Sequence, residues 1–289
     1  MTSASDDQWI LTCSCPDVAG VLARTTTFLF ERGAFLADVE SFSDRLTARF
    51  FMRIVFSPAP GEALEIERIQ SEFEILANQF AFNWAITDAR ARCPTVIAVS
   101  KFGHCLNDLL HRWSSGELPI DIRAVISNHE TMRDLVEWHQ LPFHHFPMRP
   151  DAKPEQEAKI LGVLAETGAE LLVLARYMQI LSEGMSARLA GRCINIHHSF
   201  LPGFKGAKPY HQAYSRGVKI IGATAHYVTE DLDEGPIIEQ AVERVDHKAE
   251  PRDLEAIGRD MESVVLARAV KWHAERRIIR NGARTVVFR

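Results

Sequence analysis

PTVIAVS, residues 94–100, is a continuous apolar, β-branched run with no polar alternation, the pattern of a strand buried on both faces of a parallel sheet. Three runs of the same texture follow: IRAVIS (122–127), LLVLAR (171–176) and CINI (193–196). Helical spacing separates them, over Cys105–Trp113, Thr131–Trp138, Pro154–Thr167 and Ser182–Leu189. Strand and helix in alternation predict an α/β fold, a doubly wound, mainly parallel sheet that binds ligands where its strands end. Beyond Gly222 the chain reads as an extended segment, a strand over Pro236–Val245, a long helix over Pro251–Ala274 and a terminal hairpin around Asn281-Gly282.

Upstream of residue 94 the texture is different. Trp9–Ser14 alternates as a strand and breaks at Cys15-Pro16-Asp17, after which a helix is predicted from Val18 to Arg32, stopped by Gly33. Strands at Ala37–Phe42 and Ala48–Phe56, a helix at Leu64–Phe80 and a strand at Asn83–Asp88 complete the order βαββαβ. That is the split βαβ arrangement of a small ferredoxin-like domain. The expected division is therefore 1–88 and 94–289, with a charged bridge between.

With 289 residues, 46% of them hydrophobic, the chain is long enough to bury two modest cores. A formal charge of -5 argues against a protein held to nucleic acid by its backbone phosphates. No apolar run has the length of a membrane span, and the beginning, MTSASDDQWI, lacks the basic and apolar regions of a signal peptide, so a cytoplasmic setting is expected. Five cysteines without Cys-x-x-Cys spacing read as buried, reduced thiols, and no metal site is expected.

The polar residues that suit chemistry gather in one stretch after the CINI strand. In Asn195-x-His197, strand alternation turns an amide donor and an imidazole to one face, a pair suited to acyl chemistry. The amide can hold a tetrahedral oxyanion and the imidazole can move the proton. A carboxylate is still required, and the turn Glu230-Asp231-Leu232-Asp233-Glu234 offers four, among which spacing does not choose.

The longer pattern Asn195-Ile196-His197-x-Ser199-x-Leu201-Pro202-x-Phe204-Lys205-Gly206 resembles the signature of 10-formyltetrahydrofolate-dependent formyltransferases. It is joined by Leu174-Ala175-Arg176-Tyr177-Met178-Gln179-Ile180-Leu181 upstream, and downstream by Gly222-x-Thr224-x-His226-x-Val228 and Asp233-x-Gly235-Pro236. The resemblance implies catalytic roles for Asn195, His197 and Asp233, with His226 in support. It also implies a pterin pocket built from Met178, Gln179, Ile180, Leu181, Val228 and Asp231.

Three local features are similar to formyltetrahydrofolate deformylases. They are His104-Cys105-Leu106 in the turn where transferases cradle a phosphate, His198 where they commonly carry Pro, and Pro209-Tyr210-His211-Gln212-Ala213. The resemblance thus implies hydrolysis of 10-formyltetrahydrofolate to formate and tetrahydrofolate, with the folate as substrate and no cofactor. Cys15-Pro16-Asp17-x-x-Gly20 ahead of a helix resembles an ACT regulatory domain, which implies a homo-oligomer and an amino-acid effector, such as glycine or methionine, near Asp17, Gly20, Gly33 and Asp38. Two other readings stay open: formyl transfer to an amine such as glycinamide ribonucleotide, and a folate- or amino-acid-binding regulator without turnover.

Overall fold

The computed structural model describes residues 7–149, 151–203 and 209–289. Its internal contacts divide the chain into two units, 1–91 with 275–281 and 286–289, and 92–274 with 282–285. The segments 275–281 and 286–289, assigned above to the second domain, therefore group with the first.

The first unit runs β1 (Trp9–Pro16), α1 (Val21–Phe30), β2 (Ala34–Asp44), β3 (Arg49–Pro58), α2 (Ile66–Phe80) and β4 (Asn83–Asp88). Its four strands form one antiparallel sheet in the order β2-β3-β1-β4. Leu11, Met52, Ile54 and Phe56 of the sheet pack with Phe28, Leu29 and Phe73 of the helices into its core. α1 begins three residues later than the periodicity predicts, because Gly20 takes a left-handed φ of 89° and stands at the N-cap. The Asp17 carboxylate accepts a hydrogen bond from Ser43 Oγ of β2.

The second unit runs β5 (Cys93–Val99), α3 (His104–Ser114), β6 (Ile120–Ser127), α4 (Arg133–Trp138), β7 (Phe143–His145), α5 (Lys153–Thr167), β8 (Leu171–Leu174), α6 (Glu183–Arg188), β9 (Cys193–His197), α7 (Pro209–Arg216), β10 (Ile220–Tyr227), β11 (Ile237–Arg244) and α8 (Pro251–Ala274). The sheet order is β11-β10-β9-β8-β5-β6-β7, parallel from β9 to β7 and antiparallel at β10 and β11. Val96, Ala98, Leu172 and Leu174 are buried on the helix-covered sheet, as their unbroken apolar pattern requires. The chain leaves β5 first toward β6 and β7 and later returns to its other side as β8. The carboxyl ends of β5, β8 and β9 consequently border a crevice at the point where the winding reverses.

Two elements escape the sequence reading. β7 has three residues, too few for a periodic signal, and PYHQAYSR of α7 carries too little apolar pattern to be read as a helix. A ribbon of β12 (Ile278–Asn281) and β13 (Arg284–Val287) turns at Gly282, whose φ of 61° favours glycine. Among the described residues no helix is long and apolar enough to cross a membrane. The five cysteines are all buried, and none forms a disulfide.

Candidate active site

Asn195 and His197 lie two residues apart on β9 and share one face of the sheet. β10 runs antiparallel beside it, with Asn195 opposite His226 and His197 opposite Thr224. Thr224 fixes the chain leaving β9: its hydroxyl donates to Ser199 O at 2.9 Å and accepts from Leu201 N at 3.1 Å. The Phe204-Lys205-Gly206 end of the motif lies outside the described residues.

His226 sets the orientation of Asn195. Its Nδ1 faces the Tyr227 carbonyl oxygen at 2.9 Å and donates to it, which leaves Nε2 to accept from Asn195 Nδ2 at 3.3 Å. Burial holds the His226 pKa below its ordinary value, against the opposing pull of the Tyr227 carbonyl and Asp233, so the neutral ring this bond pattern needs is the favoured one.

Asp233 arrives from the loop between β10 and β11. Gly235 makes its approach possible: a Cβ there would lie 1.7 Å from Tyr227 O, so only glycine lets the loop lie against β10. Tyr227 N donates to Pro236 O at 2.9 Å and closes the loop. Asp233 itself takes a left-handed φ of 58°, which Asp tolerates better than most residues. Its Oδ1 then stands 3.2 Å from His197 Nδ1 and 3.8 Å from His226 Nε2. Burial pushes the Asp233 carboxyl up, but the His197 hydrogen bond and the neighbouring imidazoles outweigh it and hold the group below the ordinary carboxylate value. The opposite nitrogen of His197, Nε2, is buried and has no hydrogen-bond partner.

A cavity of about 410 Å³ opens in front of these groups. Its wall includes Asn195, His197, His198, His226 and Asp233 together with Met178, Gln179, Ile180, Leu181, Val228 and Asp231. Met178, Ile180, Leu181 and Val228 give the wall an apolar part suited to a flat heteroaromatic ring. His198 is largely buried; desolvation, aided by the charge of Arg176, pushes its pKa down to about 4.

Two charged residues missed in the sequence sit beside this centre. Glu262 of α8 is 1% exposed and accepts from His104 Nε2 and Tyr210 Oη, each at 2.7 Å. Despite the upward push of burial, these bonds and Arg176 keep its carboxyl below the usual range. Its signal was legible, because Glu262 interrupts the buried stripe Leu254, Gly258, Val265, Ala269. Arg176, just beyond β8, is 8% exposed with a left-handed φ of 62°, and its Nε is 3.5 Å from Glu262 Oε2. The turn after β5 is thus tied to α8 through His104.

His104, Cys105 and Glu262 place metal-capable atoms within 4.8 Å of one another. Their chemistry fits a hydrogen-bond network better than a metal: both Glu262 oxygens have donors, and burial raises the Cys105 pKa, favouring the protonated thiol.

The four residues considered for an effector do not converge. Asp17 and Gly20 lie at the N-terminal end of α1 and Gly33 beyond its C-terminal end, on the wall of a separate cavity of about 630 Å³. Asp38 Oδ2 is paired with Arg53 Nη1 at 3.3 Å.

A family model described as "Formyl transferase" matches residues 94–270. A formyltetrahydrofolate deformylase from Corynebacterium sp. (strain P-1) is 48% identical over 97% of this chain and 98% of its own length. The crystal structure of a formyltetrahydrofolate deformylase from Burkholderia mallei ATCC 23344 is 55% identical, with a TM-score of 0.94 over 98% of this chain and 100% of that one. A glycinamide ribonucleotide transformylase from Symbiobacterium toebii is more distant, at 28% identity and a TM-score of 0.65, and covers 69% of this chain. Matches of this identity over nearly the whole of both chains place the protein in the formyltetrahydrofolate deformylase family.

Proposed function

We propose that the protein hydrolyses 10-formyltetrahydrofolate to formate and tetrahydrofolate, with water as the formyl acceptor. The reading rests above all on the pairing of His197 with Asp233 opposite an Asn195 already oriented by His226.

The pterin lies against Met178–Leu181 and Val228–Asp231, which brings the N10-formyl group toward Asn195 and His197. Asp233 holds His197 through Nδ1, so Nε2 is the nitrogen left to act on water. The water oxygen bonds to the formyl carbon and its proton passes to Nε2. One Asn195 N–H is engaged by His226, and the other is available to the growing oxyanion. As the tetrahedral species collapses, the C–N10 bond breaks, its electron pair goes to N10, and N10 takes the proton from His197. Formic acid loses its proton and leaves as formate. No cofactor enters these steps.

Hydrolysis rather than transfer is supported by the turn after β5, where His104 is tied to Glu262 instead of presenting small residues to a phosphate. Formate release from 10-formyltetrahydrofolate without any amine tests the reading; release that requires an added amine such as glycinamide ribonucleotide favours transfer, and no turnover at all favours a binding protein. Formate made this way would supply purine synthesis and balance one-carbon folate pools.

The antiparallel βαββαβ unit supports an ACT reading for residues 1–88, with a formyltransferase-like catalytic domain following from 94. Self-association through that unit and an amino-acid effector are part of the same proposal, tested by light scattering and by calorimetry with glycine and methionine. Five buried cysteines without a disulfide among them fit a cytoplasmic setting.

A further inference from the structure

We infer that Arg176 forms a binding site for the formate anion, on the wall of the catalytic cavity and beside the reacting groups. Arg176 is nearly fully buried, yet its Nε and Nη1 have no hydrogen-bond partner. Buried guanidinium nitrogens rarely stay unpaired, because each loses its bonds to water. The nearest carboxylate does not satisfy them. Glu262 Oε2 lies 3.5 Å from Nε, beyond a good hydrogen bond, and the Glu262 oxygens already hold His104 and Tyr210 at 2.7 Å. Phe102 covers the guanidinium at 5.3 Å from its ring centroid, so that side offers no acceptor.

The backbone reinforces the argument. A left-handed φ at a non-glycine residue persists where the surroundings hold it, and here Ser100 N donates to Arg176 O at 3.3 Å while Ser100 Oγ accepts from Met178 N at 3.0 Å. Arg176 lines the cavity that also contains Asn195, His197 and His198.

The missing partner is then a small anion with oxygen acceptors. This rests on the proposed hydrolysis, which makes such an anion in the same cavity: water supplies an oxygen, the C–N10 bond breaks, and the acid formed ionises to formate. Neutral His198 adds no competing cation to the wall. Arg176 therefore gives the product charge a place within reach of the site where it arises.

The test uses the full-length protein without folate, titrated with isotopically labelled formate and followed by ligand-observed NMR, together with formate inhibition of turnover. Wild type binds formate; Arg176→Lys, which keeps the charge facing Glu262 but lacks the guanidinium nitrogens, weakens both constants by at least about 10-fold. Arg176→Gln weakens them further, and if it fails to fold, Arg176→Lys carries the test, with circular dichroism confirming its fold. Absence of formate binding to wild type, or an Arg176→Lys variant that binds formate like wild type, overturns the inference. Failure of the hydrolase reading is seen separately, as wild type that releases no formate from 10-formyltetrahydrofolate.

Discussion

Replacing Asp233 by Asn preserves the shape of the side chain and removes its charge. In the proposed reaction His197 gains a proton as water attacks, with Asp233 Oδ1 3.2 Å from its Nδ1. At that separation two unit charges interact by about 5 kcal/mol for an effective dielectric of about 20. The transition state carries only part of the full charge, so about 3–5 kcal/mol of stabilisation is lost and kcat falls by about 10²–10⁴. KM changes little, since the cavity wall that receives the pterin is untouched. Initial rates of formate release at saturating 10-formyltetrahydrofolate measure the effect, and unchanged circular dichroism shows that the fold is retained. A folded Asp233→Asn variant with kcat within about threefold of wild type would refute the role given to the pair.

Asn195→Asp exchanges the amide donor for a carboxylate beside the developing oxyanion, and turnover is expected to fall at least about 10³-fold with the fold intact; easily measured steady-state activity contradicts the oxyanion role. His198, whose pKa is pushed down to about 4, refuses in the folded state a proton that the unfolded chain takes below about 6.5. Its contribution to stability is therefore complete above about pH 6.5 and declines by up to about 3 kcal/mol as pH falls toward 4. His198→Gln flattens that decline in urea unfolding at about pH 7 and about pH 5, and an unchanged slope contradicts it. Gly235→Ala puts a Cβ 1.7 Å from Tyr227 O, so the loop must move and Asp233 must leave His197. A kcat loss of at least about 10²-fold is expected, and a variant with wild-type kcat counts against the tight loop packing.

The parallel core of the second unit was legible because a strand buried on both faces has an unbroken apolar pattern, as PTVIAVS shows. The Asn195–His197 relation was legible because two-residue alternation on a strand is local. Which acid of the 230–234 turn reaches His197 was open from spacing, and depends on the way Gly235 lets the loop close on Tyr227. Glu262 stands out as the charged interruption of the apolar stripe of α8, but its partners His104 and Tyr210 are far away in sequence and follow from tertiary packing. Arg176 lines the cavity just beyond β8 with a left-handed backbone angle that residue type does not announce. In the first unit, Asp17, Gly20, Gly33 and Asp38 were named through the ACT resemblance, and α1 lies between the first two and the last two.

The central claim is that water accepts the formyl group, and isotopic labelling of that water tests it most directly. Purified protein is given 10-formyltetrahydrofolate in oxygen-labelled water with no amine present, and the formate is examined by mass spectrometry. Formate carrying one labelled oxygen, formed in equal amount with tetrahydrofolate, is the predicted result. Unlabelled formate, or formate that appears only when an amine acceptor is added, would contradict the account.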